Sequence, residues 1–183
     1  MRLILVGCEY VGTTTLAGAI SDWATRAMGG KFGWHDHWKV PHVSHADHTR
    51  EENEAFLALS PNLRESFQRY HMEYHVSPGF YGDPHHNQVG FQIDEAVYAP
   101  LFYGYGAHDE YGDRARAARR IESHIMEVAR DTVLIHLKAS PDAIKKRMKS
   151  APREFGLVKE KDVEQVLRRF QEEYDRSFLR QKI

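Results

Sequence analysis

The chain has 183 residues, 42% of them hydrophobic and 28% charged, which suits one globular domain with its own core and excludes a disordered tail. A formal net charge of −1 argues against bulk nucleic-acid binding. The single cysteine, Cys8, excludes an intrachain disulfide and points to a reducing, cytoplasmic setting; no apolar run is long enough for a bilayer, so no membrane association is expected.

In chain order, residues 3–6 form an apolar run of strand length, too short for a signal peptide. Residues 13–28 place Leu16, Ala19, Ile20, Trp23 and Ala27 on one helical face, and Gly29-Gly30 stops that helix. Residues 31–35 fit a second short strand, and the polar, histidine-rich residues 37–49 read as a loop. Ser60-Pro61 has the chemistry of a helix N-cap and first helical residue, with Leu63, Phe67, Tyr70 and Tyr74 following at helical spacing. Residues 77–87 are full of breakers and read as a loop. Residues 89–93 read as a third strand ending at Asp94-Glu95. After a glycine- and tyrosine-rich loop, Ala118, Ile121, Ile125 and Val128 mark a helix. Residues 132–137 (TVLIHL) are a clear strand, and Ser140-Pro141-Asp142 starts another helix. Val163, Val166, Leu167, Phe170 and Tyr174 mark a last long helix. Nothing suggests a repeat, a linker or a boundary, so residues 1–183 are expected to form a single domain. Strands alternating with helices predict an α/β, three-layer fold with a parallel sheet of about four to five strands.

The first strand runs directly into GCEYVGTTTL, residues 7–16. A phosphate-binding loop needs G-x-x-x-x-G-K-[ST]; here Gly7 and Gly12 are in place, Thr13 stands where the lysine belongs, and Thr14 follows. The glycines let successive N–H groups turn toward an anion, and the helix that follows adds its positive end. Neither effect needs the lysine. The loop residues Gly7, Val11, Gly12, Thr13, Thr14 and Thr15 are therefore candidate phosphate contacts, with Thr14 also placed to hold Mg²⁺. Losing the mobile cation removes a contact worth about 3 kcal/mol in transfer chemistry, by analogy with a lost oxyanion donor. The plainer reading is a strand–helix turn with two convenient glycines; its position at the carboxyl edge of a parallel sheet favours the phosphate site. Cys8 reads as a small filler rather than a nucleophile.

Further segments follow in order: WHDHWKVP (34–41), ESFQRYHMEY (65–74), FQIDEAVYAPLFYG (91–104), VLIHLKASPDAIKKRMKSAPRE (133–154) and DVEQVLRRFQEEYDRSFL (162–179). As an ordered set they resemble the P-loop deoxynucleoside kinases, within the wider group of thymidylate and other nucleoside monophosphate kinases. The resemblance implies ATP and Mg²⁺ as cofactors and a nucleotide and a small-molecule acceptor as partners. It implies Asp36 as the catalytic carboxylate and Trp38 as the tryptophan that follows it. Gln68 would read a base through its amide, and Asp94 would be the Mg²⁺-associated acid. Arg147 and Arg153 would act from a basic lid around residues 147–158. Glu95 stands where the family has arginine, so a positive charge is missing from the substrate side as well as at Thr13. Relatives are often dimers through helix contacts, which makes a homodimer the assembly to test. The chain stops at Ile183, just after the last helix, so the family's final strand is expected to be absent.

Arg114, Arg116, Arg119 and Arg120 either hold a phosphorylated acceptor, with Arg119 as the substrate contact, or form an ion-paired face with Asp113 and Glu122. Nine of the 12 histidines fall in groups: His35, His37, His42, His45 and His48, the i, i+4 pair His71 and His75, and His85-His86. A metal site is disfavoured, because no cysteine joins them and HMEYH is not a zinc-protease motif. Instead these segments, with Tyr81, Tyr98, Tyr103 and Tyr105, are expected to converge on an acceptor pocket, where His37 beside Asp36 would tune that acid. Two functions follow: an ATP-dependent phosphotransferase for a nucleoside, nucleotide or related hydroxyl acceptor, or a catalytically impaired nucleotide- or phosphate-binding protein on the same fold. A histidine-based hydrolase is a remote third.

Overall fold

The computed structural model describes residues 1–29, 49–82 and 85–183, together with the main chain of 33–36. Trp38, His37, His42, His45 and His48 lie outside the described residues, as do the side chains of His35 and Asp36.

β1 (Arg2–Val6) leads through a tight turn into α1 (Thr13–Met28), and β2 (Gly33–Asp36) follows. Three helices come next, α2 (Arg50–Leu57), α3 (Pro61–Tyr74) and the short α4 (Pro78–Tyr81). β3 (His86–Val89) turns into α5 (Gln92–Tyr98), which continues as a π turn over Ala99–Tyr103. α6 (Arg114–Val128), β4 (Thr132–His136), α7 (Pro141–Ser150), α8 (Val163–Arg176) and β5 (Gln181–Lys182) complete the chain. The sheet order is β2-β3-β1-β4-β5, and every pairing is parallel.

β1 lies at the centre because its side chains are apolar on both faces, as a sheet covered on both sides requires. Leu3 and Leu5 meet α1 through Ala17, Leu16 and Ile20. Ile4 and Val6 face the larger core, shared with Ile93 and Val97 of α5, Ile121 and Ile125 of α6, and Phe170 of α8. Among the described residues no helix is long and apolar enough to cross a membrane.

The capping expectations hold: the Ser60 and Ser140 hydroxyls accept from the N–H groups of Leu63 and Ala143, each followed by proline. Other expectations are corrected. The third strand is His86–Val89, not 89–93, so Asp94 and Glu95 lie in the first turn of α5. Its polar residues His86, Asn87 and Gln88 are buried, which conceals the strand from any apolar pattern. The second strand falls slightly later than expected, at Gly33–Asp36. A final strand, expected to be absent, is present beside β4: the Ile183 N–H donates to the Leu134 carbonyl, and the Ile183 carbonyl accepts from the His136 N–H. Two residues suffice, so no hydropathy run announces them. α2 had no sequence counterpart; it starts at a capping box, Thr49 with Glu52.

Two helices present other faces than expected. In α1 the buried residues are Ala17 and Ala24, and Trp23 is exposed. In α3 the apolar stripe faces out: Leu63, Phe67, Tyr70 and Tyr74 are 58%, 43%, 72% and 60% exposed, whereas Glu65, Gln68 and Met72 are buried.

Candidate functional site

Parallel pairing brings the carboxyl ends of β1, β2, β3 and β4 to one edge of the sheet. Leu5 is level with Val89, Val89 with Asp36, and Val6 with His136. The turn after β1 is built there. Gly7 has no room for a side chain, since a Cβ would lie 2.8 Å from both the Leu137 carbonyl oxygen and Val11 Cγ1. Gly12 ends the turn at φ 110°, a left-handed value that suits glycine, and it N-caps α1 without a side-chain hydrogen bond. The first helical bond is from the Leu16 N–H to the Gly12 carbonyl. The preceding N–H groups of Thr13, Thr14 and Thr15 thus have no acceptor within the helix, and no acid occupies the first turn. The expected loop residues come together here, with Val11 buried and the side chains of Thr14 and Thr15 exposed. This concave run of N–H groups at a helix's positive end can receive an anion.

The end of α7 and the basic segment after it are docked on this turn. Arg147 Nη1 donates to the carbonyl oxygens of Tyr10 (2.8 Å) and Val11 (2.9 Å). The Arg153 guanidinium lies over the Tyr10 ring, 4.8 Å from its centroid, and the Arg153 N–H donates to Tyr10 Oη (3.0 Å). Tyr10 itself has a left-handed φ of 67°. Beside it Glu9 is buried; its carboxylate accepts from the Val158 N–H (3.0 Å), and its own N–H donates to Tyr98 Oη (2.9 Å). Burial keeps the Tyr98 phenol protonated far above its ordinary range. Sequence reading found the two arginines and missed Glu9 and Tyr10. The available signal was two bulky residues inside a glycine turn that needs neither for its curvature.

Asp94 is buried in the first turn of α5. Next to it Glu95 accepts from Arg114 Nε (3.1 Å) and from Tyr105 Oη (3.3 Å). Arg114 also donates to Glu65 Oε1 and to the Glu65 carbonyl, each at 3.1 Å, and its guanidinium stacks on Tyr105. Burial pushes the Glu95 carboxyl up to about 7, against the opposing pull of Arg114. Glu95 thus has a guanidinium beside it, delivered from α6.

Gln68 lies on the buried face of α3. Arg119 is within 3.4 Å of Glu122 and 3.8 Å of Glu173, and none of its ion pairs reaches the β1–α1 turn. With Arg116 on Asp109 and Arg120 on Glu73, the α6 arginines take the ion-paired alternative. Among the described residues, His85 and His86 lie away from the carboxyl edge. His86 is level with Arg2, at the opposite, amino end of the sheet, and the Met1 ammonium is 2.8 Å from His85 Nδ1. His75 and His86 join an aromatic group with Phe80 and Tyr81. Tyr81 is therefore removed from any acceptor pocket at the carboxyl edge. Among the described residues one set has metal-ligand proximity, His108, Asp109 and Asp113, but Asp113 already caps α6 and two of the three are exposed.

No protein-family model matches the chain, and no curated protein does. Among solved structures it is similar to the YorR protein from Bacillus subtilis in complex with phosphorylated GDP. The identity is 18% and the TM-score 0.62, over 100% of this chain and 85% of that one. It is also similar to deoxyadenosine kinase from M. mycoides with bound dATP, at 14% identity and a TM-score of 0.55, over 100% of this chain and 89% of that one. At these identities the likeness speaks for architecture: the chain has the α/β fold of the P-loop kinases, a parallel sheet flanked by helices.

Proposed function

We propose that the chain is an ATP-dependent phosphotransferase acting on a nucleoside, nucleotide or related hydroxyl acceptor. The observation that carries this reading is the docking of two lid arginines on a lysine-less phosphate loop at the carboxyl edge of the sheet. The two structural neighbours, solved with phosphorylated GDP and with dATP, support a nucleotide as the ligand.

In this reading the N–H groups of residues 12–15 bind the nucleotide phosphates, and Arg147 and Arg153 neutralise the charge on the transferring group. Asp36, at the carboxyl end of β2, accepts the proton of the acceptor hydroxyl, and Gln68 and Trp38 contact the acceptor. The Thr14 hydroxyl and the Asp94 carboxylate are oxygen donors of the kind Mg²⁺ takes. When bound, Mg²⁺ would supply positive charge against the phosphates. Phosphoryl transfer asks little else of a protein than such positioning and charge.

The test is ATP-dependent phosphorylation across a panel of nucleosides and nucleotides. Turnover on one of them, falling about 10²- to 10⁴-fold in Asp36→Asn, is the expected result. No turnover on any, with tight Mg²⁺-dependent ATP binding, would favour the second reading, a nucleotide-binding protein. The absent cations at Thr13 and Glu95 are what recommend that reading.

A further inference from the structure

The phosphate loop lacks the lysine that would hold a positive charge over the bound phosphates, yet its own residues grip the lid. We infer that Glu9 and Tyr10 are positioning residues that keep the lid arginines docked over the loop before any nucleotide arrives, so that an arginine stands in for the cation missing at Thr13. The inference rests on the phosphotransferase reading and names the part of the loop that makes it workable.

The grip has three independent parts. The first is main chain to side chain: Arg147 Nη1 is shared between the carbonyls of Tyr10 and Val11, at 2.8 and 2.9 Å. That fixes one nitrogen of the guanidinium at the apex of the turn. Its Nε and Nη2 donors make no hydrogen bond among the described residues, and they remain available to an anion. The second is the Tyr10 side chain, which carries the Arg153 guanidinium on its ring at 4.8 Å and accepts from the Arg153 N–H at 3.0 Å. The Arg153 side chain forms no ion pair among the described residues, in contrast with the α6 arginines, all held by acids. The third is Glu9, buried at 4% exposure, whose carboxylate accepts from the Val158 N–H at 3.0 Å. Glu9 anchors the far end of the lid, and Tyr98 of α5 anchors Glu9 through its N–H.

Geometry explains why these residues, and not small ones, occupy the loop. Tyr10 has φ 67°, a left-handed region that is strained for a bulky residue. That conformation turns the Tyr10 ring toward the lid while its carbonyl receives Arg147. A turn that only had to bind phosphate would gain nothing from this strain. The arginines are also better suited than a lysine to be held in this way: a planar guanidinium stacks on a ring and keeps donors to spare.

The experiment has two arms on the full chain. In the nucleotide-free protein, amide hydrogen exchange is followed at Arg153 and Val158 in the wild type, Tyr10→Ala and Glu9→Ala. Protection in the wild type, lost at least 10-fold at Arg153 in Tyr10→Ala and at Val158 in Glu9→Ala, is expected. In the second arm, Mg²⁺–ATP affinity is measured by calorimetry in the wild type, Tyr10→Ala, Thr13→Lys and the double variant. Tyr10→Ala should weaken binding about 10-fold. Thr13→Lys should restore it in the Tyr10→Ala background but gain less than threefold in the wild type, where an arginine already fills the place. A merely structural role for Tyr10 would not be rescued by a lysine three residues away.

Tyr10→Phe keeps the ring and guards against misfolding of the alanine variant; it should lose Arg153 amide protection yet hold ATP affinity within about threefold. Unprotected lid amides in the wild type overturn the inference. So does ATP binding in which Thr13→Lys gives the same gain with and without Tyr10, and that result leaves the phosphate-site reading standing. A wild type that binds no ATP at all, with lid amides protected, overturns the phosphate-site reading and the arginine's substitute role with it.

Discussion

Arg114 is the most demanding single residue in the molecule. Its guanidinium and the carboxylates of Glu65 and Glu95 are each only 2% exposed, so two acids share one base away from water. Such a group is poor evidence for net stability, but removing one member leaves uncompensated charge. Arg114→Ala should cost about 3–5 kcal/mol, read from urea unfolding, because both carboxylates lose their buried partner. Arg120→Ala, six residues further along α6 on its exposed side and ion-paired with Glu73, should change stability by less than about 1 kcal/mol. The sequence showed a run of arginines but not which was buried. Burial of Arg114 depends on Glu65 and Glu95, 49 and 19 residues away, and no local spacing encodes those distances. The gap at Thr13, by contrast, was legible at once, because a motif fixes the residue type position by position. What is docked on that loop was only half legible: Arg147 and Arg153 follow a recognisable helix start, whereas Glu9 and Tyr10 find their partners in a segment more than 140 residues further on.

Helix α3 shows how an element can be placed correctly and oriented wrongly. Ser60 and Pro61 fixed its start, and its period was clear. Its inward face is polar because Glu65 serves Arg114, and its outward face keeps Leu63, Phe67, Tyr70 and Tyr74. Tyr70→Ser should therefore shift the unfolding free energy by no more than about 0.5 kcal/mol, as for an ordinary surface position. Glu65→Leu should cost several times more, despite being the more apolar choice, since it strips Arg114 of a buried acceptor; thermal denaturation of the two variants separates them. β3 was misplaced for the same reason. A central strand normally reads as a run of β-branched and aliphatic residues, and HNQV does not. The Gln88 amide reaches the His75 carbonyl from within that strand, a satisfaction that only the assembled core reveals.

At the scale of the whole molecule, two buried groups tie stability to pH in opposite senses. Glu95 has an ordinary value of 4.5 raised by burial to about 7, so the folded chain holds a proton that the unfolded chain releases. Its contribution is complete below pH 4.5 and is lost as pH rises through 7. His136 is lowered by burial and by Lys138 from 6.5 to about 4, so its contribution is complete above pH 6.5 and is lost as pH falls through 4. Each group contributes a slope of at most about 1.4 kcal/mol per pH unit, and over their shared window the two offset. The wild type should thus show a shallow profile between them. Glu95→Gln should lose stability on acidification alone, and His136→Phe on alkalinisation alone, as read from urea midpoints across the window. The architecture that brings these groups together was largely legible: alternating elements dictated a parallel sheet, and the sheet dictated which edge carries the site. β5 was not, because two residues leave no periodicity to detect.

The bonds between the turn after β1 and residues 147–158 also bear on time. Any anion that settles on the N–H groups of the turn meets a lid already joined to the same residues, through Tyr10, Val11 and Glu9. Opening must break those bonds whether the ligand is arriving or leaving. The barrier is therefore common to both directions. It slows association and dissociation together, separately from what the docked arginines add to affinity. On the phosphotransferase reading proposed above, such a lid exchanges its ligand slowly.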